Sequence, residues 1–189
     1  MAGVDGGIMF IADKLRGWTQ EVFEKIGVSR DDAALLTDSL IEANLRGVDT
    51  HGITRMLCVY VERIRKGVMS AKSNLVVVRE KASTALIDCN NSIGQVGAAR
   101  AMRIAIEKAR QTGVAFTAVA HSNHYGMAAY WAMMALPRGM IGFSATNTPA
   151  AVAPTGGCTA MFGTNPFAIA IPAGRELPVV LDLATTVVA

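Results

Sequence analysis

The sequence predicts an α/β fold in two parts: an N-terminal helical segment, residues 1–72, and an α/β domain, residues 73–189. Apolar residues recur every three or four positions through the first third of the chain, as on one face of a helix. Short apolar runs bounded by turn residues follow, which is typical of strands. Strands and helices then alternate from residue 75 onward, as in α/β proteins.

The composition is that of a folded, apolar-rich chain. Of 189 residues, 51% are apolar and 17% are charged, which argues against disorder and favours a surface covered by another subunit or by further chain. The net charge of +3 is modest, and the run Arg63, Arg65, Lys66 is interpreted as a solvated helix end. No apolar run reaches the roughly 18 residues of a membrane span. Neither nucleic acid nor a membrane is therefore a predicted partner.

The predicted location is a reducing cytoplasm. The apolar run 8–12 is flanked by acidic residues and has no basic region before it, so it is not interpreted as a signal peptide. The three cysteines are odd in number and far apart in sequence, which favours free thiols; they are Cys58, Cys89 and Cys158.

Three helices are predicted in the N-terminal segment. The first begins near residue 11 and ends at Gly27, where a left-handed turn suits glycine. Ser29 begins a capping box for the second helix, which Gly47 ends. Thr50 is the expected N-cap of the third helix, which ends at Gly67.

The second part is predicted to contain strands, two helices and a long loop. Helix 94–112 ends at Gly113, and a helix through Trp131 is broken near Pro137. The Gly- and Pro-rich stretch 147–157 is the loop. The predicted strands are 75–78, 85–88, 114–120, 140–145, 167–171 and 179–183.

The stretch from Asp49 to Arg55 carries the first candidate site. His51 and Arg55 are four residues apart, so in a helix they would share a face. An imidazole can move a proton near neutral pH, and a guanidinium can bind a carboxylate through two parallel hydrogen bonds. If Thr50 caps the helix, the helix dipole favours a neutral His51. The pair indicates chemistry on a small carboxylic acid; the alternative is a structural histidine beside a surface ion pair.

The second candidate cluster is the loop 121–126, His-Ser-Asn-His-Tyr-Gly, after an apolar strand. α/β proteins place their sites in such loops. One interpretation is that His124 transfers a proton, oriented by its neighbours. A second is a polar loop that satisfies its own backbone. A third is zinc held by His121 and His124, which is less favoured because no acidic residue lies nearby in sequence.

Two similar turns, 146–149 and 163–166, form the third group. Both combine an amide and hydroxyls with proline, and such turns can present N–H donors to phosphate or to a nicotinamide amide. Ordinary Asx turns are the alternative. Asp182 follows an apolar strand and could orient a histidine, hold a hydroxyl or cap a helix. The G-x-G-x-x-G and P-loop patterns do not occur, so a Rossmann fingerprint would not be what binds a dinucleotide here.

Several motifs, taken in order, resemble those of one family. They are Asp49-Thr50-His51-Gly52 with Arg55 and Tyr60, then Gly94-Gln95-Val96, Ser122-Asn123-His124, Phe162 to Pro166, and Asp182 to Thr186. Together they resemble the malate/L-lactate dehydrogenase family of the non-Rossmann type. That family includes ureidoglycolate dehydrogenase, 2,3-diketogulonate reductase, sulfolactate dehydrogenase and cyclic imino acid reductases.

The resemblance implies an NAD- or NADP-dependent oxidoreductase that interconverts a small 2-hydroxy acid, of the malate or lactate type, and its 2-oxo acid. It also implies a mixed-sheet, non-Rossmann α/β fold and a homodimer. Family members are longer, so the chain resembles their N-terminal half, and its ending, Asp182–Ala189, reads as the start of a βα loop within a longer polypeptide. The alternative function is a catalytically incomplete fragment that acts only as a binding or dimerisation module.

The resemblance also assigns roles to residues. His124 resembles a general base and His51 a proton donor, and we assign acid/base catalysis to His124 with His51 beside it. Arg55 resembles a clamp for the substrate carboxylate, and Thr50 and Asn123 are further expected substrate contacts. No metal is expected. The expected cofactor contacts are Asn147, Thr148, Thr164, Asn165, Asp182, Leu183, Ala184, Thr185 and Thr186.

Overall fold

The computed structural model describes residues 10–186, so the ends of the two predicted segments, 1–9 and 187–189, lie outside the described residues. The predicted α/β class is confirmed, with helices, a parallel strand pair and antiparallel pairs. The helices are α1 (Ala12–Lys25), α2 (Arg30–Leu45), α3 (Ile53–Arg65), α4 (Gly94–Thr112) and α5 (Ala128–Met133). The strands are β1 (Val76–Glu80), β2 (Thr84–Asp88), β3 (Phe116–Ala120), β4 (Gly142–Ala145), β5 (Phe167–Ile171) and β6 (Val179–Leu183).

Local sequence signals determine how α1 ends and α2 begins. Gly27 follows α1 with φ +94°, a left-handed conformation in which glycine is favoured because it lacks a Cβ. The Ser29 hydroxyl accepts the N–H of Asp32 at 3.3 Å, as the predicted cap requires. Both predictions are confirmed.

The predicted cap of α3 is wrong. Gly52, not Thr50, precedes the helix, and Thr50 lies in a separate 3-10 turn, Asp49–His51. A side chain from α2 takes the capping role, since Asn44 Oδ1 accepts the N–H of Ile53 at 2.8 Å. A Cβ on residue 52 would lie 2.3 Å from that oxygen, so glycine is required there. His51 is therefore outside α3, and the same-face and helix-dipole arguments do not apply to it.

The strands form two three-stranded sheets. The first sheet has the order β1-β2-β3. In it the backbone N–H of Phe116 donates to the Ser83 carbonyl, and the backbone N–H of Cys89 donates to the Ala120 carbonyl. The partners advance in the same direction along both strands, so β2 and β3 are parallel and α4 is their crossover. The second sheet, of order β4-β5-β6, is antiparallel throughout. β5 and β6 coincide with the predicted strands 167–171 and 179–183.

The described chain divides into two compact units. The first takes in the chain up to Val78 together with Ile87–Gly97 and Val119–Gly126. Its core is formed where α1, α2 and α3 bury their apolar faces, and it contains the aromatic rings of Phe23 and Tyr60. Tyr60 thereby carries a hydroxyl into an apolar core, where it needs a hydrogen-bond partner.

The second unit comprises Arg79–Leu86, Ala98–Ala118 and the chain from Met127 onward. In it α5 packs on β4, β5 and β6, and Trp131 is 1% exposed. Glycine at position 142 allows β4 to lie close to α5, because a Cβ there would lie 1.9 Å from the Ala132 carbonyl oxygen. The predicted domain boundary between residues 72 and 73 stays a prediction.

None of the helices within residues 10–186 combines the length and apolar character that a membrane crossing needs. The three cysteines are free, as predicted; Cys58 and Cys158 are exposed and Cys89 is buried.

We expect Leu40→Ala to destabilise the protein by about 2–5 kcal/mol, because Leu40 is fully buried and its loss leaves a cavity. Leu45→Ala is the matched control on the same helix, since Leu45 is 61% exposed and should cost at most about 0.5 kcal/mol. Urea unfolding followed by circular dichroism measures both. Equal losses in the two variants would contradict the assigned core.

Candidate active site

His124 lies in the loop between β3 and α5, and its ring is held at one nitrogen. The Nδ1 atom is 2.6 Å from the Tyr60 hydroxyl oxygen and accepts the N–H of Gly126 at 3.3 Å. Tyr60 is fully buried, and its oxygen accepts a hydrogen bond from Gln95 Nε2 at 2.8 Å. Two buried side chains, Gln95 and Tyr60, therefore orient the half-buried imidazole of His124.

The structure brings the two candidate histidines together. The rings of His51 and His124 are stacked, with centroids 5.5 Å apart and planes inclined by 20°. His51 Nδ1 is 2.9 Å from the Thr50 hydroxyl, so Thr50 contacts the ring of its neighbour. Two half-buried imidazoles thus face the same small region of the first unit.

The surroundings keep His124 neutral at physiological pH. Burial lowers the pKa of His124 to about 4, and the positive charges of His51, Arg63 and Arg55 contribute in the same direction. Burial also raises the pKa of Tyr60 well above its ordinary value, although the Gln95 hydrogen bond and Arg63 oppose this. At rest, therefore, neither the imidazole nor the phenol places an uncompensated charge in the site.

Arg55 is available to an anion. Its side chain is exposed on α3, and its charge is close enough to lower the pKa of His124. Within residues 10–186, no carboxylate forms an ion pair with Arg55. A guanidinium without a protein partner, beside a neutral imidazole, suits the recognition of a carboxylate whose neighbouring oxygen gains or loses a proton.

The loop that carries His124 is fixed by close packing. Asn123 Nδ2 donates to the Asn91 carbonyl at 3.1 Å and to the Ser92 carbonyl at 3.0 Å. A Cβ on Gly94 would lie 2.2 Å from the Asn123 carbonyl oxygen and 2.5 Å from that of His124. The Asn123 amide nitrogen is thus occupied by residues 91 and 92, and its expected contact with substrate stays a prediction.

His121 is engaged elsewhere. Its Nδ1 atom is 2.9 Å from Asp88 Oδ2, and the pKa of Asp88 is lowered by the Asn90 N–H and then by His121. In the part of the chain that the structure describes, no three His, Cys, Asp or Glu side chains are grouped as metal ligands.

The two predicted turns come together in the second unit. The Thr148 N–H donates to Asn165 Oδ1 at 3.0 Å, and the Thr148 and Thr164 hydroxyls are 3.2 Å apart. A Cβ on Gly163 would lie 2.4 Å from the Thr148 carbonyl oxygen, so glycine permits this contact. Across residues 10–186, the Asn147 side-chain amide has no hydrogen-bond partner and is exposed. Exposed amide and hydroxyl groups of this kind can bind phosphate and carboxamide groups.

Asp182 caps a helix. Its Oδ2 atom accepts the N–H of Ala129 at 2.8 Å, in the first turn of α5. The Thr185 hydroxyl donates to the Thr164 carbonyl at 3.0 Å, which ties the end of β6 to the turn cluster. Their expected contacts with a cofactor stay predictions, as do those of Leu183, Ala184 and Thr186.

Three residues that position the site had no role assigned from sequence: Asn44, Tyr60 and Gln95. Tyr60 offers a signal, as the phenol in the apolar stripe of α3. Gln95 offers another, as a long amide in the first turn of an Ala-rich helix. Asn44 carries no local signal, because its partner N–H is nine residues away.

Comparison with known proteins gives a consistent result. A family model described as malate/L-lactate dehydrogenase matches residues 10–189. A malate dehydrogenase of Pyrococcus abyssi is 46% identical over 93% of this chain and 48% of its own. A malate/(S)-sulfolactate dehydrogenase of Methanothermus fervidus is 42% identical over 89% of this chain and 49% of its own.

A solved structure agrees with these matches. The malate dehydrogenase of Pyrococcus horikoshii OT3 superposes with a TM-score of 0.92 at 44% identity, over 96% of this chain and 51% of that one. The chain spans about half the length of the curated relatives it matches.

We expect NMR titration of the His124 ring to give a midpoint near pH 4, because the ring is buried near three positive side chains. In the unfolded chain the pKa of this histidine is about 6.5. Between about pH 4 and that value the unfolded state therefore binds more protons than the folded state. The free energy of unfolding should therefore fall as pH falls through this window, and fall less in His124→Phe. A midpoint at or above about 6.5 would contradict the assigned environment.

Proposed function

The chain belongs to the malate/L-lactate dehydrogenase family, and on that premise we propose that the protein interconverts a small 2-hydroxy acid and its 2-oxo acid, using NAD or NADP. The observation that carries the proposal is the neutral His124 ring, fixed by Tyr60, stacked on His51 and influenced by an unpaired Arg55. The reaction of a 2-hydroxy acid requires side chains for two purposes, to transfer the hydroxyl proton and to bind the carboxylate.

Each side chain has one task. Arg55 binds the substrate carboxylate through two parallel hydrogen bonds and so orients C2 and its oxygen. His124 takes the hydroxyl proton at Nε2 during oxidation and returns a proton to the carbonyl oxygen during reduction. The nicotinamide accepts or supplies the hydride when bound.

We propose His124 rather than His51 as the acid/base group because hydrogen bonds hold its ring in place. A catalytic base is usually oriented by a third group, and Tyr60 and Gly126 both bond to His124 Nδ1. Its neutral state also leaves the ring able to exchange a proton with substrate. His51 Nδ1 lies 2.9 Å from the Thr50 hydroxyl, and we propose that His51 borders the substrate beside His124.

The turn cluster is the proposed cofactor contact. Asn147, Thr148, Thr164 and Asn165 supply amide and hydroxyl groups at one place in the second unit, and Thr185 is tied to it. The proposal extends to Asp182–Thr186, the strand end and loop that follow.

A homodimer and a cytoplasmic location complete the proposal. Large apolar side chains are exposed in this chain, among them Val114, Phe116 and Leu177, which supports cover by a second subunit. Two exposed free thiols, Cys58 and Cys158, suit a reducing compartment. The names of the relatives, malate and sulfolactate dehydrogenases, favour a small 2-hydroxy acid as substrate.

We expect His124→Ala in the full-length protein to lower kcat by about 10²–10⁴-fold, the usual contribution of an acid/base group. His51→Ala should lower kcat less, and His121→Ala serves as a control outside the stacked pair. Steady-state rates with malate, lactate and sulfolactate and their 2-oxo acids measure all three. Near-full kcat in His124→Ala, combined with its loss in His51→Ala, would reverse the assignment.

We expect Asn147→Ala to weaken NADH or NADPH binding by roughly 2–10-fold, the effect of one lost hydrogen bond. The substitution should leave the fold intact, because this side chain is exposed and makes no hydrogen bond within the described residues. Fluorescence titration measures the binding, with exposed Gln111→Ala on α4 as control. A folded protein that binds neither dinucleotide would favour the alternative of a binding or dimerisation module.

A further inference from the structure

We propose that Gln95 is a positioning residue that selects the tautomer of His124 through the buried hydroxyl of Tyr60. In one orientation of the Gln95 amide, His124 carries its proton on Nε2; in the other, on Nδ1. The tautomer itself is a property of the folded chain, and its catalytic consequence rests on the proposed function.

The observed hydrogen bonds specify the first orientation. Gln95 Nε2 donates to the Tyr60 oxygen at 2.8 Å, so the hydroxyl proton of Tyr60 points to its other partner. That partner is His124 Nδ1, at 2.6 Å. The Gly126 N–H also points at Nδ1, at 3.3 Å. With two donors facing it, Nδ1 is an acceptor, and the ring proton is on Nε2.

The second orientation follows from an unpaired atom. Gln95 is fully buried, yet its Oε1 atom has no hydrogen-bond partner among the described residues. A half-turn of the amide exchanges Oε1 and Nε2. Oε1 then accepts the Tyr60 proton, the Tyr60 oxygen accepts Nδ1–H of His124, and Nε2 is left with a lone pair.

The two orientations are close in hydrogen-bond energy. Each leaves one end of the buried amide unpaired, and each keeps the bonds from Gln95 to Tyr60 and from Tyr60 to His124. The second gives up only the Gly126 contact, which at 3.3 Å is long. The side chain at position 95 therefore decides which tautomer prevails.

The Nδ1–H tautomer is the one that can exchange a proton with substrate. With Nδ1–H, the lone pair on Nε2 accepts the hydroxyl proton of a 2-hydroxy acid, and the ring becomes an imidazolium. In the reverse direction the imidazolium donates that proton from Nε2 to the carbonyl oxygen of a 2-oxo acid. With Nε2–H, the lone pair faces Tyr60 instead, so the ring must change tautomer before it can accept the substrate proton.

The test is ¹⁵N NMR of histidine-labelled protein, because the nitrogen shifts of a neutral imidazole distinguish the two tautomers. We expect Nε2–H in the unchanged chain and in Gln95→Met, which has no group to compete for the Tyr60 proton. We expect Gln95→Glu to shift His124 toward Nδ1–H, because a carboxylate can only accept. Gln111→Glu, the same change at an exposed site on α4, should leave the spectrum unaltered.

A purely structural Gln95 predicts the same His124 tautomer in all of these chains, and that result would overturn the inference. If Gln95→Glu does not fold, Tyr60→Phe replaces it. Unchanged His124 nitrogen shifts in Tyr60→Phe would overturn the inference equally, and a shift in the tautomer ratio would support it.

Kinetics separate this inference from the proposed function. In the full-length protein, Gln95→Met should lower kcat about tenfold or more, because methionine cannot accept the Tyr60 proton and so cannot favour the Nδ1–H tautomer that receives the substrate proton. The KM for the acid should change little, because Arg55 is untouched. A tautomer change in a protein without dehydrogenase activity supports the inference and contradicts the proposed function alone. An active protein whose tautomer ignores residue 95 contradicts the inference alone.

Discussion

The hydrogen bond between Tyr60 and His124 is the contact on which the candidate site depends. Tyr60 is buried because α3 contributes its apolar face to the core that it shares with α1 and α2, and its hydroxyl must then find a partner inside that core. His124 Nδ1 and Gln95 Nε2 together meet that need. The same bond that removes a buried unsatisfied hydroxyl also orients the imidazole, so core stability and site geometry share one interaction.

Close backbone packing makes this bond possible. The loop that carries His124 lies against the start of α4, where only a residue without a side chain leaves room for two carbonyl oxygens. Asn123 then anchors the loop to the backbone of residues 91 and 92. Rigid support of this kind suits a group that must meet a reacting atom within a fraction of an ångström. Arg55, in contrast, is exposed and has no partner in the described chain, as a ligand-binding cation should be.

Much of the fold could be predicted from local patterns, whereas the site could be predicted only in outline. Glycine-terminated helices and short apolar strands have local causes, and β5 and β6 matched residue for residue. The cap of α3 could not be predicted from local sequence, because the capping side chain, Asn44, comes from another helix. Spacing indicated a pair of His51 and Arg55, but the structure pairs His51 with His124, a contact over 73 positions that no periodicity encodes. The sequence motifs include Gln95 and Tyr60, but their positioning roles could not be predicted, because the hydrogen bonds that define them span 35 and 64 positions.

Sequence separation along the chain also bears on how the molecule acquires its site. The three N-terminal helices meet through near neighbours, whereas Tyr60 and His124 are 64 residues apart. Closing a long loop costs entropy before its contacts are gained, so local contacts tend to form first. Arg55 thus lies among helices whose contacts we expect to form early, whereas we expect the long-range contact that fixes the imidazole to form later. Recovery of a native His124 environment during refolding would then follow the return of most helical signal.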